Sequence, residues 1–184
     1  MKIIAGEFKG KRIKSLNGKY TRPTSNKVRE AIFNILSYKI KSSNVLDLFA
    51  GTGSLGIEAL SRGAKTSIFV DLEKKVISNI KQNIFYCNLN NVSYIFRWNI
   101  LKNLNCLKKI KNYFDIVFID PPYNKKMIDL CLKNLVKTNK LKPGSIIVVE
   151  HSIKEIILIN SFEFDLAEQK NYGKTTVSFL ISKI

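Results

Sequence analysis

Asn44-Val45-Leu46-Asp47-Leu48-Phe49-Ala50-Gly51-Thr52-Gly53-Ser54-Leu55-Gly56 decides how this chain is read. An apolar strand, Asn44 to Leu48, runs into a glycine-rich turn, and the turn opens into a helical run from Leu55 through Arg62. Three glycines spaced G-x-G-x-x-G at a strand-to-helix turn make a cofactor cradle. The first allows a tight turn, the second lets a ligand approach the backbone, and the third lets helix pack close to strand. The helix N-terminus then offers unpaired N–H groups to whatever sits above it. This spacing alone is a weak signal, so the flanking chain must say which cofactor is held.

Outward from that stretch the pattern becomes strand, helix, strand, helix. Strands are expected at Val45–Phe49, Thr66–Asp71, Ser93–Arg97, Ile116–Asp120 and Ile146–Glu150. Helical stretches are expected at Leu55–Ser61, Lys74–Cys87, Leu101–Lys109 and Lys126–Val136. Near-continuous apolar strands alternating with helices predict an α/β fold with a parallel sheet covered on both faces. Thr175–Ile181 has no helix after it and reads as a terminal strand, antiparallel to its neighbour.

Towards the N-terminus, Lys2–Ala5 and Lys11–Leu16 flank Gly6 and Gly10, which suggests a small β-hairpin. Its residues Lys9, Lys11, Arg12 and Lys14, with Lys19 beyond, could contact phosphates or could discourage edge-to-edge strand pairing. Pro23 ends the extended piece, and Thr24, Ser25 and Asn26 are each good N-caps for a helix. Val28, Ile32, Ile35 and Leu36 then form one buried stripe at helical spacing. Arg22, Thr24 and Arg29 are candidates for a cap that touches substrate; Arg29 and Glu30 at the stripe's margins could equally be solvated.

Ligands of a doubly wound sheet bind outside the carboxyl ends of its strands. The second strand ends at Asp71, about 20 residues after Gly51, the spacing of an acid that accepts hydrogen bonds from ribose hydroxyls. The third ends near Asn99 and Ile100, which could bond and pack against a purine, although Asn99 also reads as an ordinary loop residue. The fourth delivers Asp120-Pro121-Pro122-Tyr123. Those four types suit methylation of an exocyclic amine on a nucleobase, whose lone pair is delocalised into the ring. Asp120 and the carbonyl of Pro121 can accept its two N–H bonds and stabilise the positive charge that develops. The prolines stiffen the loop. Tyr123 offers a ring on which a splayed base can stack.

Together the glycine turn, Asp47, Asp71 and the Asp-Pro-Pro-Tyr motif resemble the Rossmann-like S-adenosylmethionine methyltransferases of the amino-methylating branch. Arg22-Pro-Thr, Val28 to Leu36, Asp47 to Ala64, Asp120 to Tyr123 and Tyr172-Gly173 are similar to the RsmD family, over essentially the whole chain. The resemblance implies a mostly parallel seven-stranded sheet with an antiparallel C-terminal strand. It also implies a single methyltransferase domain over residues 1–184, with the N-terminal hairpin and helix (1–40) appended to a Rossmann-like core (41–184). The implied activity is methylation of N2 of one guanine in 16S ribosomal RNA. Carried over by motif, Asp47, Phe49, Gly51, Gly53 and Gly56 surround the methionine part of the cofactor, Asp71 holds the ribose, Asn99 and Ile100 meet the adenine, and Asp120 is the catalytic acceptor. Arg22, Thr24, Arg29, Lys11 and Arg12 are expected to bind substrate. Tyr172-Gly173 reads as a turn feeding the last strand.

Charge and size agree with such a partner. In 184 residues, 31 Lys and Arg against 14 Asp and Glu give a net charge of +17, which suits a polyanion; a composition rich in Lys, Asn and Ile could supply part of that excess without function. No run approaches the ~18 apolar residues that span a bilayer. Cys87, Cys106 and Cys131 are widely spaced and His151 stands alone, so no zinc site is expected. The expected protein is a cytoplasmic monomer acting on 16S ribosomal RNA or the small ribosomal subunit, without membrane contact or metal. DNA adenine-N6 methylation would suit the same motif, but the chain lacks an inserted target-recognition domain. A protein glutamine methyltransferase more often has Asn at the first motif position. A non-catalytic RNA-binding assembly factor would leave the cofactor turn unexplained, and a nicotinamide dehydrogenase would leave Asp120–Tyr123 unexplained.

Overall fold

A computed structural model describes residues 1–16, 25–122 and 127–184. Seven strands form one sheet in the order β3-β2-β1-β4-β5-β7-β6. They are β1 (Asn44–Leu48), β2 (Thr66–Asp71), β3 (Ser93–Arg97), β4 (Ile116–Ile119), β5 (Ile146–Ser152), β6 (Phe164–Tyr172) and β7 (Thr175–Ser182). The first five run parallel, and β7 lies antiparallel between β5 and β6.

Burial on both faces explains the continuous apolar runs. Alternate residues of a strand face opposite ways. Val45 and Phe118 pack under helix α1 (Asn26–Leu36) and helix α2 (Ser54–Ser61). Their neighbours Leu46, Val117 and Ile119 pack on the other face with helix α4 (Ile128–Val136). Helix α3 (Lys74–Tyr86) shares a third cluster with α2, in which Ile80 and Ile84 meet Ile57 and Phe69. Neither face of the central strands can carry polar side chains without cost, so periodicity of two disappears there.

Helix α1 is capped by Ser25, whose Oγ accepts the N–H of Val28 at 3.2 Å. Its stripe, Val28, Ile32, Phe33 and Leu36, is buried against the sheet. The N-terminal segment is a loose hairpin held by one antiparallel bridge, Lys2 to Arg12, and by N–H bonds from Ile3 to the Lys11 carbonyl and from Ile13 to the Met1 carbonyl. It lies over α2 and α3, with Ile3 and Ile13 in their shared cluster.

One expectation fails. Leu101–Lys109 is no α-helix; only Asn105–Leu107 make a short 3-10 turn. Asn99 Oδ1 accepts the N–H of Leu101 at 3.1 Å, and Asn103 Oδ1 accepts that of Asn105 at 3.0 Å. Such local side-chain bonds compete with helix formation. Strand β6 escapes the apolar pattern altogether. It is an edge strand, mostly exposed, with an irregular register between Leu166 and Glu168. Charge and a bulge blunt an open edge. Gly173, with φ +64°, and Lys174 turn it into β7, where Tyr172 pairs with Thr175.

Candidate active site

The strand order reverses between β1 and β4. Ligands of open α/β sheets bind at that switch point, and the sequence places its chemistry on both sides of it. Leu48 and Ile119 are register partners. The glycine turn therefore leaves β1 beside the point where Asp120 leaves β4, and the Asp120 N–H lies 3.5 Å from the Leu48 carbonyl. Asp120 is half-buried, Pro121 buried and Pro122 exposed. Tyr123 lies outside the described residues, as do Arg22, Thr24, Lys19 and Tyr20.

The turn has an unusual backbone. Phe49 adopts a left-handed conformation with φ +59°, followed by Gly51 at +54° and Gly53 at +77°. A bulky residue held there is strained and marks a constrained site. The Gly53 N–H donates to the Ala50 carbonyl at 2.7 Å, and the Ala50 N–H to Val70 of β2 at 3.2 Å. Gly56 has a different duty. A Cβ there would lie 2.3 Å from the Phe69 ring and 2.5 Å from Ser67 Oγ. It lets α2 press onto β2.

Two carboxylates shape this turn. Asp47 is 1% exposed, and its Oδ2 accepts the Gly56 N–H at 3.0 Å. It sits beneath the cradle, tying β1 to the first turn of α2. Asp71 ends β2; its Oδ2 accepts the Gly51 N–H at 3.1 Å and its Oδ1 the Glu73 N–H at 3.0 Å. Burial pushes Asp47 up to about 8, against the Gly56 N–H and helped by the charge of Asp71. Burial also raises Asp71, and its backbone N–H partners oppose that. A cation bound at this cradle would ease the ionisation of these two acids, whereas a pyrophosphate would make it costlier still.

Beyond β3, the Trp98 N–H donates to the Asp71 carbonyl at 2.9 Å and draws the following segment to the β2 edge. Asn99 uses its Oδ1 on its own loop. Ile100, expected to pack against a purine, is 3% exposed within the core.

Arg29 is the clearest departure among the expected substrate contacts. It is 0% exposed. Its guanidinium donates to the Lys2 carbonyl and to Asn26 Oδ1, and it also touches the Met1 sulfur. It fastens the N-terminal arm to α1 because a buried guanidinium must find acceptors. Lys11 is half-buried and Arg12 exposed on that arm.

Comparison with known proteins follows the same lines. The family described as "Conserved hypothetical protein 95" matches residues 1–181. A ribosomal RNA small subunit methyltransferase D from Buchnera aphidicola is 42% identical over 158 residues, 85% of this chain and 81% of the relative. The chain belongs to the RsmD family. A solved Escherichia coli chain aligns at TM-score 0.87 and 26% identity, covering 100% of this chain and 98% of that one. A solved Haemophilus influenzae chain aligns at TM-score 0.81 and 32% identity with the same coverage.

In this RsmD family chain, sequence reading overlooked the residues that join the arm to the cradle. Glu58 accepts the N–H groups of Ile4 at 2.8 Å and Ala5 at 3.0 Å, and pairs with Arg62 Nε at 2.8 Å. Asn83 accepts the Lys14 N–H at 2.8 Å and donates to the carbonyls of Lys14 and Thr52, each at 3.0 Å. The available signal was an acid inside the otherwise apolar helix Ser54–Ser61, which reads as a buried group awaiting partners.

Proposed function

We propose that the chain is an S-adenosylmethionine-dependent methyltransferase of small-subunit ribosomal RNA, acting on the exocyclic N2 amine of a guanine. Residues 1–184 work as one domain, a cytoplasmic monomer. The observation that carries the reading is Asp120-Pro121 leaving β4 directly beside the glycine turn of β1. The name of the Buchnera relative supports the substrate class.

The cradle fits this cofactor. The turn at Phe49, Gly51 and Gly53 gives backbone access, Asp71 gives acceptors for hydroxyls, and Asp47 with Asp71 favours a cationic ligand over a phosphate. When bound, S-adenosylmethionine supplies a methyl group activated by its sulfonium. Asp120 and the Pro121 carbonyl hold the target nitrogen by its N–H groups and aim its lone pair. The Asp120 carboxylate stabilises the charge that grows on nitrogen as it is methylated. The proline pair restrains the loop, so little reorganisation is needed. Lys11 and Arg12 meet phosphates; by motif, Tyr123 is assigned to base stacking, and Arg22 and Thr24 to substrate contact.

Incubating the protein with labelled S-adenosylmethionine and either 16S RNA or small subunits, then digesting to nucleosides, tests the reading. N2-methylguanine is expected; N6-methyladenine or no product, with cofactor still binding, would sink it. Asp120→Ala should slow turnover at least about a hundredfold, as loss of an oriented transition-state partner does, while cofactor affinity stays within a factor of about two.

A further inference from the structure

The solvent face of α3 does not look like an ordinary solvated helix face. Its exposed positions begin with lysines and end with Phe85 and Tyr86, which are 73% and 60% exposed at the last turn. Aromatic rings there gain nothing from the core. The N-terminal arm crosses the same region. Lys11 Nζ lies 5.1 Å from the centre of the Phe8 ring and 5.7 Å from that of Tyr86, within the range of cation–π contact. Lys14 Nζ donates to Gln82 Oε1 at 3.3 Å. Arm and helix thus share a surface: the Phe8 and Tyr86 rings bridged by an ammonium, with exposed Phe85 next along the helix and Lys9 and Lys81 exposed on the same two segments. The exposed acid nearby on the arm is Glu7.

Rings interleaved with cations are the composition of a single-stranded nucleic-acid platform. Every base has a face that stacks on an aromatic ring, and lysines draw the phosphates. A second copy of a chain carrying +17 would bring like charges together here. We infer that Phe8, Lys11, Phe85 and Tyr86 form a docking platform for unpaired bases of the RNA substrate, away from the base being methylated. This rests on the RNA methyltransferase reading and extends it. Helix α3 has 13 residues and spans about 20 Å, room for a few nucleotides. Lys11 is held by two rings, so the cation is in place before RNA arrives.

The test uses the full chain, a short single-stranded RNA oligonucleotide, and a duplex of the same sequence. Phe85→Ala with Tyr86→Ala should raise the Kd for the single strand at least about tenfold, the scale of losing stacked bases. S-adenosylmethionine affinity and kcat on small subunits should not change, while KM should rise. Phe85→Trp with Tyr86→Trp should restore binding. Lys9→Ala and Lys81→Ala should each flatten the slope of log Kd against log salt by about 0.7. Unchanged Kd and KM in the alanine pair would overturn the platform and leave the methyltransferase reading standing. Equal affinity for duplex and single strand would overturn stacking. A change from dimer to monomer in the alanine pair, with RNA binding intact, would assign the surface to self-association and overturn the proposal. Failure of the unaltered protein to bind or methylate any RNA would strike the function itself.

Discussion

The glycine turn and the N-terminal arm meet at Asn83, yet they are built by opposite means. The turn is made from neighbours in sequence. Asp47, Phe49, Gly51, Gly53 and Gly56 sit within ten residues; Val70 and Asp71 reach in from the next strand and Asn83 from α3. The arm has a single bridge of its own. It is positioned by side chains more than 50 residues away: Glu58, Ser61, Asn79 and Asn83. Those partners belong to α2 and α3, the helices that also frame the cradle. A locally determined cradle keeps its shape when the arm is disturbed. An arm determined at long range is lost when one helix residue changes.

Glu58→Ala should break the contrast most sharply. It leaves two arm N–H groups without their acceptor and removes the partner of Arg62. A buried pair broken from one side costs about 3–5 kcal/mol. Thermal unfolding should register that loss. Hydrogen exchange should show Ile4 and Ala5 opening while Gly51 and Gly56 stay protected. Glu58→Gln, which keeps an acceptor, should recover part of the protection. If the turn opens together with the arm, the two regions are not separable.

Asn83→Ala comes next, because Asn83 is the junction. It strands the Lys14 N–H and removes a donor from the Thr52 carbonyl, at about 2 kcal/mol. Arm protection and S-adenosylmethionine affinity should fall together, the latter by less than the former. Calorimetric titration alongside hydrogen exchange would measure both. A loss in the arm alone would show that the Thr52 contact does not transmit.

The smallest effect lies within the turn. Asp47 binds its proton more tightly in the folded chain than in the unfolded one, so between about pH 4 and 8 the native state holds the extra proton. Stability from this group is full below the unfolded value near 3.8 and declines as pH rises towards 8. The slope is at most about 1.4 kcal/mol per pH unit. Asp47→Asn should flatten that slope in denaturant titrations. Binding of a cation beside Asp47 should release protons in the same window, and the release should vanish in the variant.

The same contrast explains what could be read in advance. The parallel strands were legible because burial on both faces forces unbroken apolar runs, and Asp71 was legible because a strand end fixes its place. Asp120 was legible for the same reason. Strand β6 was not, since Phe164–Tyr172 is an edge with seven polar or exposed positions in nine and its apolar faces never alternate. The stretch after β3 misled because leucines recur at helical spacing, while Asn99 and Asn103 divert the backbone N–H groups. Arg29 misled because a charged residue beside an apolar stripe usually faces water; the acceptors that bury it come from Lys2 and Asn26, and no local pattern announces them.

Gly6 adds a constraint of a different kind. Its backbone lies so close to the end of α2 that an added Cβ would sit 1.8 Å from the Ser61 carbonyl oxygen, and its φ is +83°. No other side chain fits that notch. The arm can therefore seat at one offset only, like a ruler with a single zero mark. A residue deleted between Phe8 and Lys11 would leave the zero in place and displace everything read beyond it, so Lys11 would leave the Tyr86 ring. Length on the far side of Gly6 is thus a measured quantity, and insertions or deletions there should be tolerated far less than substitutions.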